Sequence, residues 1–262
     1  MNDERATTLA QKLRTPSLDV CSLDLARAAA STVGRVLHNN SEFKGTGFMI
    51  SNRLFLTNNH VIYNSARAMA CLVEFNYELD VMGCPKAVTR FALAPTDFFV
   101  SNPREDLDFT IVAIGDRVSG KGELSGFGYC PLEGTDDEHS LGEFVNIIHH
   151  PGGNFKQIVL NAQLAAHTDE VLHYYANTRS GSSGSPVFND QFEPIGLHHY
   201  RRPTRTAMTL DGRQGPRDAN EGIRISAIVK RINSEKNRLS QTQRALIESA
   251  LSCPFSHPSL LK

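Results

Sequence analysis

The chain has no tryptophan, and its five cysteines are scattered without a Cys-x-x-Cys pair. An odd, dispersed set (Cys21, Cys71, Cys84, Cys130 and Cys253) argues against a disulfide framework and against a structural zinc site, so free and mostly buried thiols are expected. No run approaches the roughly 20 apolar residues of a membrane-spanning helix. The opening Met1-Asn2-Asp3-Glu4-Arg5 lacks the basic-then-apolar order of a secretory signal, and a cytoplasmic location away from any membrane is expected. Net charge is also small, −1 overall, with 40% hydrophobic and 21% charged residues. Those values exclude collagen-like, low-complexity and wholly disordered chains.

The small net charge hides an uneven distribution. Residues 201–262 carry 12 Lys and Arg against 5 Asp and Glu, a balance of +7 that leaves −8 for the first 200 residues. A basic end would suit phosphate contacts. This one holds no aromatic beyond Phe255 and no zinc or helix-turn-helix spacing, so it reads as a solvated face rather than a nucleic-acid site.

Length 262 over a soft unit of about 150 residues leaves one large domain or two small ones open. Residues 1–30 read as a polar arm with a short helix that Ser22 can cap and that buries Leu25, Ala28 and Ala29. Short apolar runs between Gly, Asn and Pro then predict strands over 33–37, 47–50, 54–57, 70–75, 89–94 and 109–114. A glycine-rich, acidic stretch over 119–141 reads as a linker between a first β unit (31–118) and a second (142–226). The second shows strand patterns over 143–149, 157–164, 171–175, 186–188 and 194–197, then a polar, mobile loop over 201–220. Ile225, Ile228, Val229 and Ile232 follow a helical period, and Ser240 with Gln243 forms a capping box for a further helix. Helices therefore close the chain over 227–262. No fixed-period repeat occurs.

Three segments place reactive residues at strand ends or turns. The pair Gly45-Thr46-Gly47-Phe48-Met49-Ile50 and Leu54-Phe55-Leu56-Thr57-Asn58-Asn59-His60-Val61 has hairpin spacing and delivers His60 at the end of its second strand. Leu107-Asp108-Phe109-Thr110-Ile111-Val112 sets an acid at the mouth of a buried strand, with Asp106 two residues away as a competitor. Thr178-Arg179-Ser180-Gly181-Ser182-Ser183-Gly184-Ser185-Pro186-Val187 is a small-residue loop running into a strand. A serine hydroxyl becomes a nucleophile when an imidazole takes its proton, and a carboxylate fixes the imidazole's tautomer and stabilises its charged form. One of each is present, in the order His, Asp, Ser. An α/β-hydrolase elbow needs G-x-S-x-G; residue 185 is serine and the histidine comes first.

These segments resemble the trypsin-like, chymotrypsin-fold serine peptidases, most closely the bacterial branch with the staphylococcal glutamyl endopeptidase and intracellular trypsin-like domains of conflict systems. The likeness spans about 33–232, including Ile148-His149-His150-Pro151-Gly152-Gly153, Gly196-Leu197-His198-His199 and Asn220-Glu221-Gly222-Ile223-Arg224-Ile225-Ser226. It implies an all-β fold of two six-stranded antiparallel barrels with a C-terminal helix and the catalytic residues in the cleft between them. Among Ser180, Ser182, Ser183 and Ser185 the family pattern selects Ser183 as nucleophile, and it selects Asp108 over Asp106. His60 would be the general base, and the amides of Gly181 and Ser183 the oxyanion hole. No cofactor or metal is implied, and His149, His150 and His199 read as structural.

The resemblance extends to specificity and control. Thr178 and His198 occupy the positions with which glutamyl endopeptidases bind a substrate carboxylate. Asn177 stands where trypsin has an acid. Cleavage after Glu, aided by Arg201 and Arg202, is therefore expected, although Tyr200-Arg201-Arg202-Pro203 departs from the family's Gly-rich continuation. Ser182 replaces the aspartate that latches a new N-terminus in trypsin-type zymogens, so activation by a protein partner or by a conformational change is expected. The implied role is a protease acting on protein substrates, a regulated effector in bacterial defence; the alternative is an inactive trypsin-like binding module.

Overall fold

Most strands bury both faces, and period-2 alternation sorts their side chains into separate cores. In β3 (Leu54–Thr57), Phe55 enters one apolar cluster while Leu54 and Leu56 enter another. In β7 (Phe109–Ser119), Val112 and Ile114 take the first side, Ile111 and Ala113 the second. The same happens in β8 (Phe144–His149), where Val145 and Ile147 separate from Ile148. Two cores thus fill two barrels, and the third cluster joins them. These sequences look continuously apolar because nearly every position is inside.

The computed structural model describes residues 18–39, 42–132, 143–201, 203, 205–207, 214–215 and 218–252. The first barrel also contains β1 (Val33–His38), β2 (Glu42–Met49), β4 (Cys71–Phe75), β5 (Thr89–Leu93) and β6 (Phe99–Asn102). Its order is β3-β2-β1-β4-β5-β7-β6, closed by pairing of β3 with β7, so β6 is a seventh strand added outside the six-stranded ring. The second barrel is a closed ring in the order β10-β13-β12-β11-β8-β9, with β9 (Gln157–His167), β10 (Val171–Tyr174), β11 (Pro186–Phe188), β12 (Pro194–Tyr200) and β13 (Asn220–Arg224). All pairings are antiparallel, and the expected pair of six-stranded barrels is what the chain forms.

Helices seal the shared core. In α1 (Cys21–Thr32), Ala28 and Ala29 are buried as the pattern predicts, but Ser22 does not cap: Val20 holds the N-cap position and Ser22 lies buried in the first turn. The short α2 (Ser65–Met69) is capped by the Asn64 side chain. Ile225, Ile228, Val229 and Ile232 of α3 (Ile225–Glu235) all enter the joining cluster, as do Ile247 and Ala250 of α4 (Gln241–Ser252). The Ser240–Gln243 capping box forms, each backbone N–H donating to the other's side chain. Of the cysteines, Cys71 and Cys130 are buried and Cys21 and Cys84 exposed, all four free; Cys253 lies outside the described residues. So do residues 133–141 of the 119–141 stretch and half of the 201–220 stretch. No helix among the described residues is long and apolar enough to cross a membrane.

Candidate active site

Asp108 is fixed through its backbone and through both carboxylate oxygens. Its backbone has a φ of 42°, left-handed for a non-glycine residue. That conformation is held by its N–H donating to the Pro103 carbonyl and by its own carbonyl accepting from Asn59 N–H and Asn58 Nδ2. The turn aims the side chain at the loop after β3. There, Asp108 Oδ1 accepts the backbone N–H of His60 at 2.9 Å, and Oδ2 lies 2.5 Å from His60 Nδ1. Burial works to raise the Asp108 carboxyl, but hydrogen bonds from His199 and His60 outweigh it and hold it below the usual carboxylate range. Asp106 instead faces outward, to Asn102 and Arg231.

His60 thus has its Nδ1 spent on Asp108, while its Nε2 makes no hydrogen bond among the described residues. The ring stacks on Tyr200 at 5.7 Å between centroids and 4° between planes. Tyr200 is in turn covered by Arg104, whose guanidinium lies over the ring and donates to its hydroxyl.

The Ser183 loop is brought to this place by Thr46 of β2. Thr46 N–H donates to the Ser183 carbonyl (2.8 Å), and its hydroxyl donates to the Gly181 carbonyl (2.9 Å). Gly45 packs between Ser183 and Val61, the residue after His60: a Cβ there would lie 3.0 Å from the Ser183 carbonyl oxygen and 2.7 Å from Val61. Gly181 and Gly184 have φ of 92° and 86°, and an added Cβ would meet Phe43 or the Thr46 carbonyl at 2.0 Å. Within the loop the amides of Ser182, Gly184 and Ser185 are used, on Arg179, His198 and Ser182 carbonyls. Those of Gly181 and Ser183 donate to no acceptor among the described residues. No hydrogen bond there joins Ser183 Oγ to His60; in unliganded enzymes that contact is often loose.

Beside the loop, Thr178 and His198 are both buried, and Asn177 is exposed. The Thr178 hydroxyl donates to Asn220 Oδ1 at 2.5 Å, an orientation set by Asn220 Nδ2 donating to the Ala176 and Tyr174 carbonyls. His198 Nδ1 is 2.7 Å from the Tyr174 hydroxyl. Burial pushes His198 down to about 3 and Tyr174 well above its ordinary range, so both are neutral. When the tyrosine hydroxyl donates to Nδ1, the imidazole proton lies on Nε2. Arg201 is exposed and Arg202 lies outside the described residues.

The other histidines are also placed. His149 Nδ1 pairs with the Ser182 hydroxyl and is lowered to about 4 by burial; His150 meets the Asn154 carbonyl and is lowered to about 3 for the same reason. His199, read from sequence as structural, sits on Asp108: its Nδ1 is 2.6 Å from Oδ2. His60, Asp108 and His199 offer donor atoms within 4.8 Å of one another, yet both Nδ1 atoms are engaged on the carboxylate, and a cation would have to replace both protons.

A family model for the trypsin-like peptidase domain matches residues 45–197, from the glycine beside Ser183 into β12. The uncharacterized protein y4fB of Sinorhizobium fredii is 37% identical over 216 residues, covering 71% of this chain; the chain spans about a third of that relative's length, 32%. Among solved structures, the serine endoprotease from Yersinia pestis has 18% identity and a TM-score of 0.53, over 85% of this chain and 67% of that one. Rv3671c of Mycobacterium tuberculosis H37Rv, in an inactive form, has 16% identity and a TM-score of 0.50, over 85% and 96%. Both likenesses are of fold. With its two barrels and the match through their shared cleft, the chain belongs to the trypsin-like peptidase family.

Proposed function

We propose that this chain is a serine endopeptidase in which His60 is general base and acid, Asp108 orients it and Ser183 is the nucleophile. The observation that carries the reading is the 2.5 Å contact between His60 Nδ1 and Asp108 Oδ2, which leaves Nε2 as the base. In that reaction Nε2 accepts the Ser183 hydroxyl proton as Oγ attacks the scissile carbonyl. The amine leaves with that proton, and water activated by the same nitrogen then releases the acyl group. The amides of Gly181 and Ser183, without an acceptor among the described residues, suit the oxyanion; one such donor contributes about 2.7–4 kcal/mol.

The specificity reading is cleavage after Glu. His198 supports it, because with Nδ1 on the Tyr174 hydroxyl its Nε2 is the nitrogen left to meet a substrate carboxylate, whereas Thr178, its expected partner, has turned its proton to Asn220. Ser182 is spent on His149 and Arg179 and offers no ionic latch, which supports activation by a protein partner over an N-terminal switch. One observation favours the second reading, an inactive binding module: no hydrogen bond links Ser183 Oγ to His60 among the described residues. Digestion of a peptide library by the wild type and by Ser183→Ala decides between them. Ser183-dependent scission after Glu is expected. Scission after basic or large apolar residues overturns the specificity, and no Ser183-dependent product under any condition favours the module.

A further inference from the structure

A second imidazole on the triad carboxylate is a feature that the peptidase reading does not use. Asp108 Oδ2 receives His199 Nδ1 at 2.6 Å as well as His60 Nδ1 at 2.5 Å, while Oδ1 holds the His60 backbone N–H. His199 is buried and comes from β12 of the second barrel; Asp108 and His60 belong to the first. On its far side, His199 Nε2 faces Glu221 Oε1 at 3.7 Å, beyond hydrogen-bond reach. Glu221, on β13 and fully buried, is held by His173 Nε2 at 3.2 Å and by the Arg205 backbone N–H at 2.9 Å. His173 Nδ1 is buried with no partner among the described residues, which suits a tautomer with the proton on Nε2, donating to Glu221. Two buried carboxylates therefore alternate with three imidazoles in one line, His60, Asp108, His199, Glu221, His173.

We propose that His199 is a positioning residue of the reaction, holding the Asp108 carboxylate as a second Nδ1 donor and tying it to β12 of the second barrel. The inference rests on the peptidase reading of His60, Asp108 and Ser183. A fully buried carboxylate with one imidazole donor is held less firmly in angle and in its ionised state than one with two. Because His199 draws on the same oxygen, it also tempers the pull of Asp108 on the His60 proton. The titratable groups around His199 among the described residues are His60, Asp108, Glu221, His173 and its strand neighbours His198 and Tyr200.

The test is the rate at which a fluorophosphonate labels Ser183, measured against pH for wild type, His199→Ala and His199→Asn, with folding checked by thermal melting. Loss of one charge-assisted donor is expected to slow labelling about 10- to 100-fold in His199→Ala. It also moves the acid limb to higher pH, a shift that a merely structural role would not produce. The amide of His199→Asn, which restores a donor near Nδ1, recovers most of the rate. In the wild type, two low-field imidazole proton resonances are expected, one of which disappears in His199→Asn. A folded His199→Ala chain with wild-type rate and unchanged limb overturns the inference alone, as does a single low-field resonance. A folded wild type that does not label at Ser183 overturns the peptidase reading and this role with it.

Discussion

The hydroxyl of Thr46, in the first barrel, donates to the carbonyl of Gly181, in the Ser183 loop of the second, at 2.9 Å. The same hydroxyl accepts the His150 N–H, and the Thr46 backbone binds the Ser183 carbonyl. One buried threonine thus sets the loop's height against His60. Thr46→Val keeps the shape but leaves a buried carbonyl and an amide unpaired, which costs about 1–3 kcal/mol. The expected result is a lower urea midpoint together with slower hydrolysis, since the loop loses its register; chemical denaturation and steady-state kinetics on one preparation check both.

Gly184 stands at φ 86°, and its missing Cβ would fall 2.0 Å from the Thr46 carbonyl oxygen. Neither the backbone conformation nor the space admits a side chain. Gly184→Ala is expected to abolish Ser183-dependent activity and lower the melting temperature, whereas Gly126→Ala, with nothing near its missing Cβ, serves as the neutral control.

Between the barrels, Lys156 is buried with its ammonium on Glu78 at 2.9 Å and on the carbonyl of Ala30 at 2.6 Å, where it also satisfies the C-terminal turn of α1. Lys86 shares Glu78 at 2.6 Å. Burial would raise the Glu78 carboxyl, but Lys156 and Lys86 overcome it and bring it down to about 2. Because the folded value is depressed, this contribution is complete above the ordinary carboxyl range and is lost as pH falls from about 4.5 toward 2. Glu78→Gln leaves a buried ammonium without its counter-charge and is expected to destabilise the chain by about 3–5 kcal/mol at neutral pH. Equilibrium unfolding at pH 7 reads it directly.

Three buried histidines set a second pH limit. His149, His150 and His198 are held neutral, lowered to about 4, 3 and 3 by burial. The unfolded chain takes up their protons near 6.5 and the folded one does not, so stability is present above that pH and lost as pH falls below it. Each histidine removes up to about 1.4 kcal/mol per pH unit in that window. Urea midpoints are expected to hold between pH 8 and 7 and drop steeply between 6.5 and 5; equal midpoints at 7.5 and 5.5 would contradict this.

What could be read from sequence followed periodicity and local motif. Strands such as β3 and β7, apolar on both faces, and α3, with its 3.6-residue stripe, showed themselves as patterns. β13 did not: its segment Asn-Glu-Gly-Ile-Arg has one large apolar residue, because its buried Glu221 is satisfied by His173 and Arg205 from distant segments. β6 is four residues between Pro95 and Pro103, too short to show a period. At the site, His60 and Asp108 were legible because each sits in a local motif. The place of His199 on Asp108 was not, since adjacent histidines on a strand face opposite ways and only the fold decides which side meets the triad. The Thr178 hydroxyl donates to Asn220, 42 residues on, a pairing that no local motif around Thr178 announces.

The central claim is that His60, Asp108 and Ser183 act as one catalytic unit across the two barrels. Intact-mass spectrometry of the full chain after exposure to a fluorophosphonate, followed by peptide mapping, tests it most directly. The account predicts one adduct, on Ser183, lost in Ser183→Ala and slowed by orders of magnitude in His60→Ala. Labelling at Ser180, Ser182 or Ser185, or Ser183 labelling indifferent to His60, would contradict it.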